Sequence, residues 1–118
     1  MSNVPFASTH TVTRQTGDYE DGEWVADDPT TVNITAHIQA FTESDNDQKA
    51  ANRLGLDSVE GCIWIDSNDE LFTARKSASG CPDVLTWNGQ DYEIRQSAHF
   101  PDVLPHWECI GVLIDDNT

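Results

Sequence analysis

The residues with the widest chemical range in this chain are three cysteines, Cys62, Cys81 and Cys109, and four histidines, His10, His37, His99 and His106. Zinc sites and zinc hydrolases place such ligands in short fixed spacings, and neither CxxC nor HExxH occurs here. The stretch "HFPDVLPH" sets His99 and His106 at the two ends of a proline-bounded loop. That arrangement has the form of a ligand pair, but it reads more simply as two loop-edge residues. The pattern predicts no metal site.

Nucleophilic and phosphate chemistry also lack a motif. No G-x-S-x-G elbow supports a serine nucleophile, and no glycine-rich loop precedes a helix to cradle a phosphate. Paired carboxylates are so frequent in this chain that no pair stands out. Cys62 and Cys109 fall in apolar β-rich stretches and read as small core residues. Trp24, Trp64, Trp87 and Trp107 fall in similar stretches and read as core or interface anchors. The sequence therefore predicts a protein without catalytic, cofactor-binding or metal-ligating residues, and not an enzyme.

Charge is the strongest compositional feature. Twenty-one Asp and Glu stand against six Lys and Arg, for a net charge of −15. Binding nucleic acid by neutralising phosphates needs clustered Lys and Arg, which this composition excludes. A surface this acidic can repel DNA, mimic it, meet a basic partner, or simply keep a small domain soluble. Six acids and no base lie between Asp18 and Asp28: Asp18, Glu20, Asp21, Glu23, Asp27 and Asp28. Such a run is a solvated edge or a functional electrostatic face.

The elements that must carry these residues are mostly strands. At 118 residues the chain has the length of one domain. No apolar run approaches the 18 residues of a membrane span, and "MSNVPFASTH" lacks the basic and apolar regions of a secretory signal. The expectation is a soluble protein made in a cytoplasm, with residues 1–8 as a flexible or docking arm, 9–114 as the domain, and 115–118 as an acidic end. In "DVLTWNGQDYEIRQSAHF", Asn88-Gly89 is the dipeptide of a two-residue hairpin whose central positions both need positive φ. Pairing outward sets Trp87 against Gln90, Thr86 against Asp91 and Leu85 against Tyr92. Leu85, Trp87, Tyr92 and Ile94 then share the inner face. "THTVTR" is a strand, "EWVA" its short return strand, and Thr31–Phe41 a long strand with Val32, Ile34, Ala36, Ile38 and Ala40 on the buried face and His37 on the polar one. Val59–Asp66, Glu70–Arg75 and His106–Ile114 complete the set. Ser44 or Asp45 can cap one short helix over about 46–54, ended by Gly55. Seven or so short strands at these intervals predict an all-β barrel or sandwich.

The stretch "DVLTWNGQDYEIRQSAHFPDVLPHWECIGVLI" resembles the C-terminal part of the head-to-tail joining proteins of tailed bacteriophages, also called head-closure, stopper or gateway proteins. Trp87, Gly89, Tyr92, Ile94, Pro101, His106 and Trp107 occupy the positions that carry the likeness. "VTRQTGDYEDGEWV" and "VNITAHIQAF" resemble the family's opening hairpin and the strand after it, so the likeness runs from about Thr9 to Ile114. The segment 43–57 matches no family signature. The resemblance implies a small β-barrel virion protein forming a homo-oligomeric ring in the neck, six-fold rather than twelve-fold by preference. A portal or adaptor would lie above it and a tail tube or terminator below, with DNA passing through the lumen unbound and no membrane involved. On that reading Asp18, Glu20, Asp21, Glu23, Asp27 and Asp28 are candidates for an acidic lumen edge. Asp45, Asp47, Lys49 and Arg53 are candidates for a gating or partner-contacting loop. A tail terminator of the same particle and a small acidic DNA mimic are the competing readings.

Overall fold

A computed structural model describes residues 7–26, 28–75, 80–101 and 105–114. Six of its eight strands close into an antiparallel barrel in the order β1-β4-β5-β8-β7-β6. The strands are β1 (Ser8–Arg14), β2 (Gly17–Glu20), β3 (Glu23–Ala26), β4 (Thr30–Ala40), β5 (Cys62–Ser67), β6 (Val84–Trp87), β7 (Gln90–Phe100) and β8 (His106–Leu113). One helix among the described residues, α1 (Asp45–Arg53), joins β4 to β5. Closure leaves the barrel without a free sheet edge.

The β6–β7 hairpin has the expected register, with Leu85 opposite Tyr92, Thr86 opposite Asp91 and Trp87 opposite Gln90. Asn88 (φ 52°) and Gly89 (φ 75°) both take the left-handed conformation that a type I′ turn demands. Alternation then fills the barrel. Val12, Ile34, Ala36, Ile63, Ile65, Leu85, Tyr92, Ile94 and Cys109 form one buried cluster, closed by Leu71 from the β5–β6 connection. Each large aliphatic side chain so buried contributes about 2 kcal/mol of transfer free energy. On β4 the alternation weakens at the end, where Ala40, expected inside, is exposed.

A bulge in β7 changes which residues face inward. Ile94 pairs with Gly111 and Gln96 with Ile110, so Arg95 has no partner of its own. Even-numbered residues point inward before it (Tyr92, Ile94), and Ser97 meets the buried Cys109 after it. The outer face of β8 is reset against β7 by the same step.

Three expectations are corrected. "EWVA" does not return along β1; it pairs with Gly17–Glu20 in a two-stranded sheet of its own, and β1 pairs with β4 and β6. Glu70–Arg75 is not a strand. The backbone of Phe72 bonds instead to Asp83: its N–H donates to the Asp83 carboxylate at 2.8 Å, and its carbonyl accepts from the Asp83 N–H at 2.8 Å. The strand expected from Val59 begins only at Cys62, because Gly61 (φ 78°) makes a turn whose carbonyl accepts from Leu113 N–H. Ser8 belongs to β1, opposite Ala36, at the boundary between the expected arm and the domain. Residues 1–6 and 115–118 lie outside the described residues.

Candidate functional site

Helix α1 is the firmest of the expected site elements. Ser44 caps it, its hydroxyl accepting from Asp47 N–H, and Gly55 (φ 80°) ends it. Leu56 N–H reaches the Ala51 carbonyl and Gly55 N–H the Asn52 carbonyl, the paired bonds of a Schellman motif. Ala50 and Ala51 pack with Phe41, Cys62 and Ile110 on the outer face of the barrel, forming a second apolar cluster. Segment 43–57 is therefore a helix seated on the barrel rather than a loose loop.

The four candidate residues there divide by direction. Asp45, Lys49 and Arg53 recur every four residues and are all exposed, forming an outward stripe. Asp47 points the other way and is buried. Its carboxylate accepts from Trp64 Nε1 (2.8 Å), Thr42 N (2.7 Å) and the Thr42 hydroxyl (3.0 Å). Burial pushes its pKa up, but these bonds outweigh that and hold it below the ordinary carboxylate value. Asp47 thus fastens the helix to β5 and is unavailable to a partner.

Of the acidic-edge candidates, Glu20, Asp21, Glu23 and Asp28 are exposed along or just beyond the β2–β3 hairpin. Asp18 lies on β2 opposite Val25. Asp27 falls outside the described residues. Glu20 and Glu23 face each other across the turn, whose Asp21 (φ 54°) and Gly22 (φ 83°) are both left-handed. Among the described side chains of the hairpin, the acidic ones at Glu20, Asp21 and Glu23 face solvent.

A third group was not singled out from the sequence. Asp66, His106 and Glu108 each bring one ligand atom within 4.8 Å of the others. The sheet register assembles them: Asp66 opposes Glu108 across β5–β8, and His37 opposes Asp66 across β4–β5. Directly opposed residues share a face, so all four belong to the barrel's outer surface beside α1. His106 Nε2 lies 3.2 Å from Glu108 Oε2. Phe100 stacks on the His106 ring at 5.4 Å, and His99 stacks on Trp107 at 4.3 Å. His99 and His106 are thus not a ligand pair; each is placed by an aromatic neighbour. Burial first, and then the Glu108 carboxylate, raise the Asp66 pKa against the opposing pull of His106 and His37. The sequence did hold one signal. "HWE" inside a strand puts His106 and Glu108 on the same face. Asp66, forty residues earlier, became visible only through the register.

Two of the three cysteines behave as core, and Cys81 is exposed. Cys62 and Cys109 are buried free thiols, and burial pushes the Cys109 thiol up to about 11, leaving it protonated at neutral pH. Cys109 is three residues from His106, an odd spacing that puts the two on opposite faces of β8. At the barrel's end, Arg14 forms a two-pronged ion pair with buried Asp83 (Nε to Oδ1 3.0 Å, the NH2 nitrogen to Oδ2 2.8 Å). Its guanidinium also lies 4.4 Å from the Phe72 ring centroid. These groups join β1 to the β5–β6 connection and the start of β6. Among the described residues no helix is long and apolar enough to cross a membrane.

No family model matches this chain, and no curated protein is similar enough to it to count as a relative.

Proposed function

We propose that this chain is a structural ring subunit of the neck of a tailed phage, joining the portal or its adaptor to the tail and helping to retain packaged DNA. The observation that carries the reading is the β2–β3 hairpin. Among the described residues it forms a two-stranded sheet separate from the barrel sheet, and a two-stranded hairpin on its own is marginal in water. A neighbouring subunit that covers or extends it supplies what the single chain lacks. Val25, 42 % exposed on β3, gives such a contact an apolar centre. Around it Glu20, Asp21, Glu23 and Asp28 present negative charge, which suits a channel that DNA must traverse without sticking. The outward stripe of Asp45, Lys49 and Arg53 on a firmly seated helix offers a second, mixed-charge contact to an adjacent ring. The resemblance from Thr9 to Ile114 names the particle; the closed barrel is compatible with it.

Electron microscopy of particles made with a nonsense mutation in this gene tests the reading. Leaking or emptied heads beside separate finished tails are expected. Finished heads with tails of irregular length would transfer the protein to the tail terminus. Intact virions would overturn a virion role and leave the acidic DNA mimic as the reading to pursue.

A further inference from the structure

We propose that Asp66, Glu108 and His106 form a binding site for a divalent transition-metal ion of the zinc class, on the outer face of the barrel where β5 and β8 meet. The argument begins with charge. Asp66 and Glu108 are partly buried and directly opposed, a like-charge pairing that destabilises a sheet unless something compensates it. Among the described residues no lysine or arginine forms an ion pair with either of them, and the one ion-pair contact is His106 to Glu108. Two carboxylates and an imidazole are a donor set that suits Zn²⁺, Mn²⁺ or Co²⁺ better than the all-oxygen shells of Ca²⁺ or Mg²⁺.

Geometry agrees. Donor atoms around a four-coordinate zinc ion lie about 3.4 Å apart, given metal–ligand bonds of about 2.1 Å. His106 Nε2 and Glu108 Oε2 already stand at 3.2 Å, and the full set lies within 4.8 Å. Binding requires the set to contract from within 4.8 Å to that spacing. His37 opposes Asp66 on the same face but is not among the three residues whose ligand atoms converge, so water would complete the coordination. The scaffold is also suitable: Asp66 and Glu108 are directly paired residues of β5 and β8, and the His106 ring is stacked against Phe100. A bound ion would tie β5 to β8 at the point where the chain enters β8 from the β7–β8 connection.

The site holds whether or not the chain is a neck subunit, and its test is separate. Metal-stripped protein is titrated with Zn²⁺ by calorimetry and with Co²⁺ by visible absorption. A single saturable site at micromolar metal is expected, with a raised melting temperature and no displacement by millimolar Mg²⁺. His106→Ala should weaken Co²⁺ binding more than about tenfold while leaving the melting of metal-free protein close to wild type; Asp66→Asn should do likewise. Should either variant fail to fold, the His106 ring resonances of wild-type protein are followed by NMR, and a shift on adding Zn²⁺ is required. No saturable binding, equal binding in His106→Ala, displacement by Mg²⁺ as for diffuse attraction to a −15 surface, or unmoved His106 resonances would each overturn the proposal.

Discussion

Asp47 sits near the start of a helix, yet its carboxylate looks back toward the strand the chain has just left. Its partners, the Thr42 amide and hydroxyl and the Trp64 indole, belong to the turn just after β4 and to β5, so one residue joins the helix to both. Asp47→Ala strands those donors and should destabilise the domain by about 2 kcal/mol, read as a shift in urea midpoint. Trp64, stacked on Phe41 at 4.6 Å, reports the change by fluorescence. The pH dependence has a defined sign. Asp47 has a lowered pKa in the folded chain, so its contribution is complete above the unfolded value near pH 4 and is lost as pH falls through the folded value. Acid unfolding should therefore be shallower below about pH 4 in Asp47→Asn than in wild type. Equal acid slopes would remove Asp47 from the account. Arg14 and Asp83 are a parallel case at the barrel's end, where Asp83 is nearly inaccessible and also holds Phe72. Arg14→Ala leaves that carboxylate buried and uncompensated and should cost about 3 kcal/mol. A loss under about 1 kcal/mol would mean that water reaches the site and replaces the guanidinium.

At the scale of elements, the packing of β8 between β5 and β7 depends on Gly111. A methyl group there would meet Ile63 Cγ1 at 3.1 Å and Tyr92 Cβ at 3.2 Å inside the core. Gly111→Ala should therefore cost about 1–3 kcal/mol through overpacking, with the β6–β7 hairpin register unchanged. Chemical denaturation measures the first, and cross-strand NOEs the second. A neutral substitution would show that Ile63 rotates away at little cost. Local chemistry made much of the fold legible beforehand. Asn88-Gly89 sets the turn and register of β6–β7, and Ser44 with Gly55 bounds the helix, because each acts through backbone bonds within a few residues. The errors arose where the local pattern did not show which partner a segment takes. Glu70–Arg75 alternates like a strand, but Asp83 claims the Phe72 amide and carbonyl before any strand can. "EWVA" suits a return along β1, but it pairs with Gly17–Glu20, which is nearer along the chain. Direction on the helix was also hidden, since nothing local to Asp47 tells that Trp64 waits beneath it. The Asp66 cluster required two registers at once, β4 on β5 and β5 on β8, and no window of sequence contains both.

For the molecule as a whole, the excess of carboxylates should govern how stability responds to salt. A net charge of −15 repels itself when the chain compacts. The ion pairs among the described residues that salt could weaken are few: Arg14–Asp83, Arg95–Glu93 and His106–Glu108. The first is shielded from screening because Asp83 is buried, and the second is exposed and contributes little. Raising NaCl from about 10 mM to about 0.5 M shortens the screening length from about 30 Å to under about 10 Å. That removes much of the repulsion across the domain and little of the attraction. The melting temperature should rise by a few degrees, read by circular dichroism at fixed, low protein concentration. Asp21→Asn and Glu23→Gln, exposed on the acidic hairpin, should reproduce part of that rise at low salt and reduce the further gain on adding it. A fall in melting temperature with salt would mean that attractive pairs outweigh the net charge. If subunits associate through the hairpin, high salt should also make melting depend on protein concentration, because assembly then stabilises the fold by mass action. Removing acids at Asp21 and Glu23 should shift the onset of that dependence to lower salt, which separates association through β2–β3 from a general relief of repulsion.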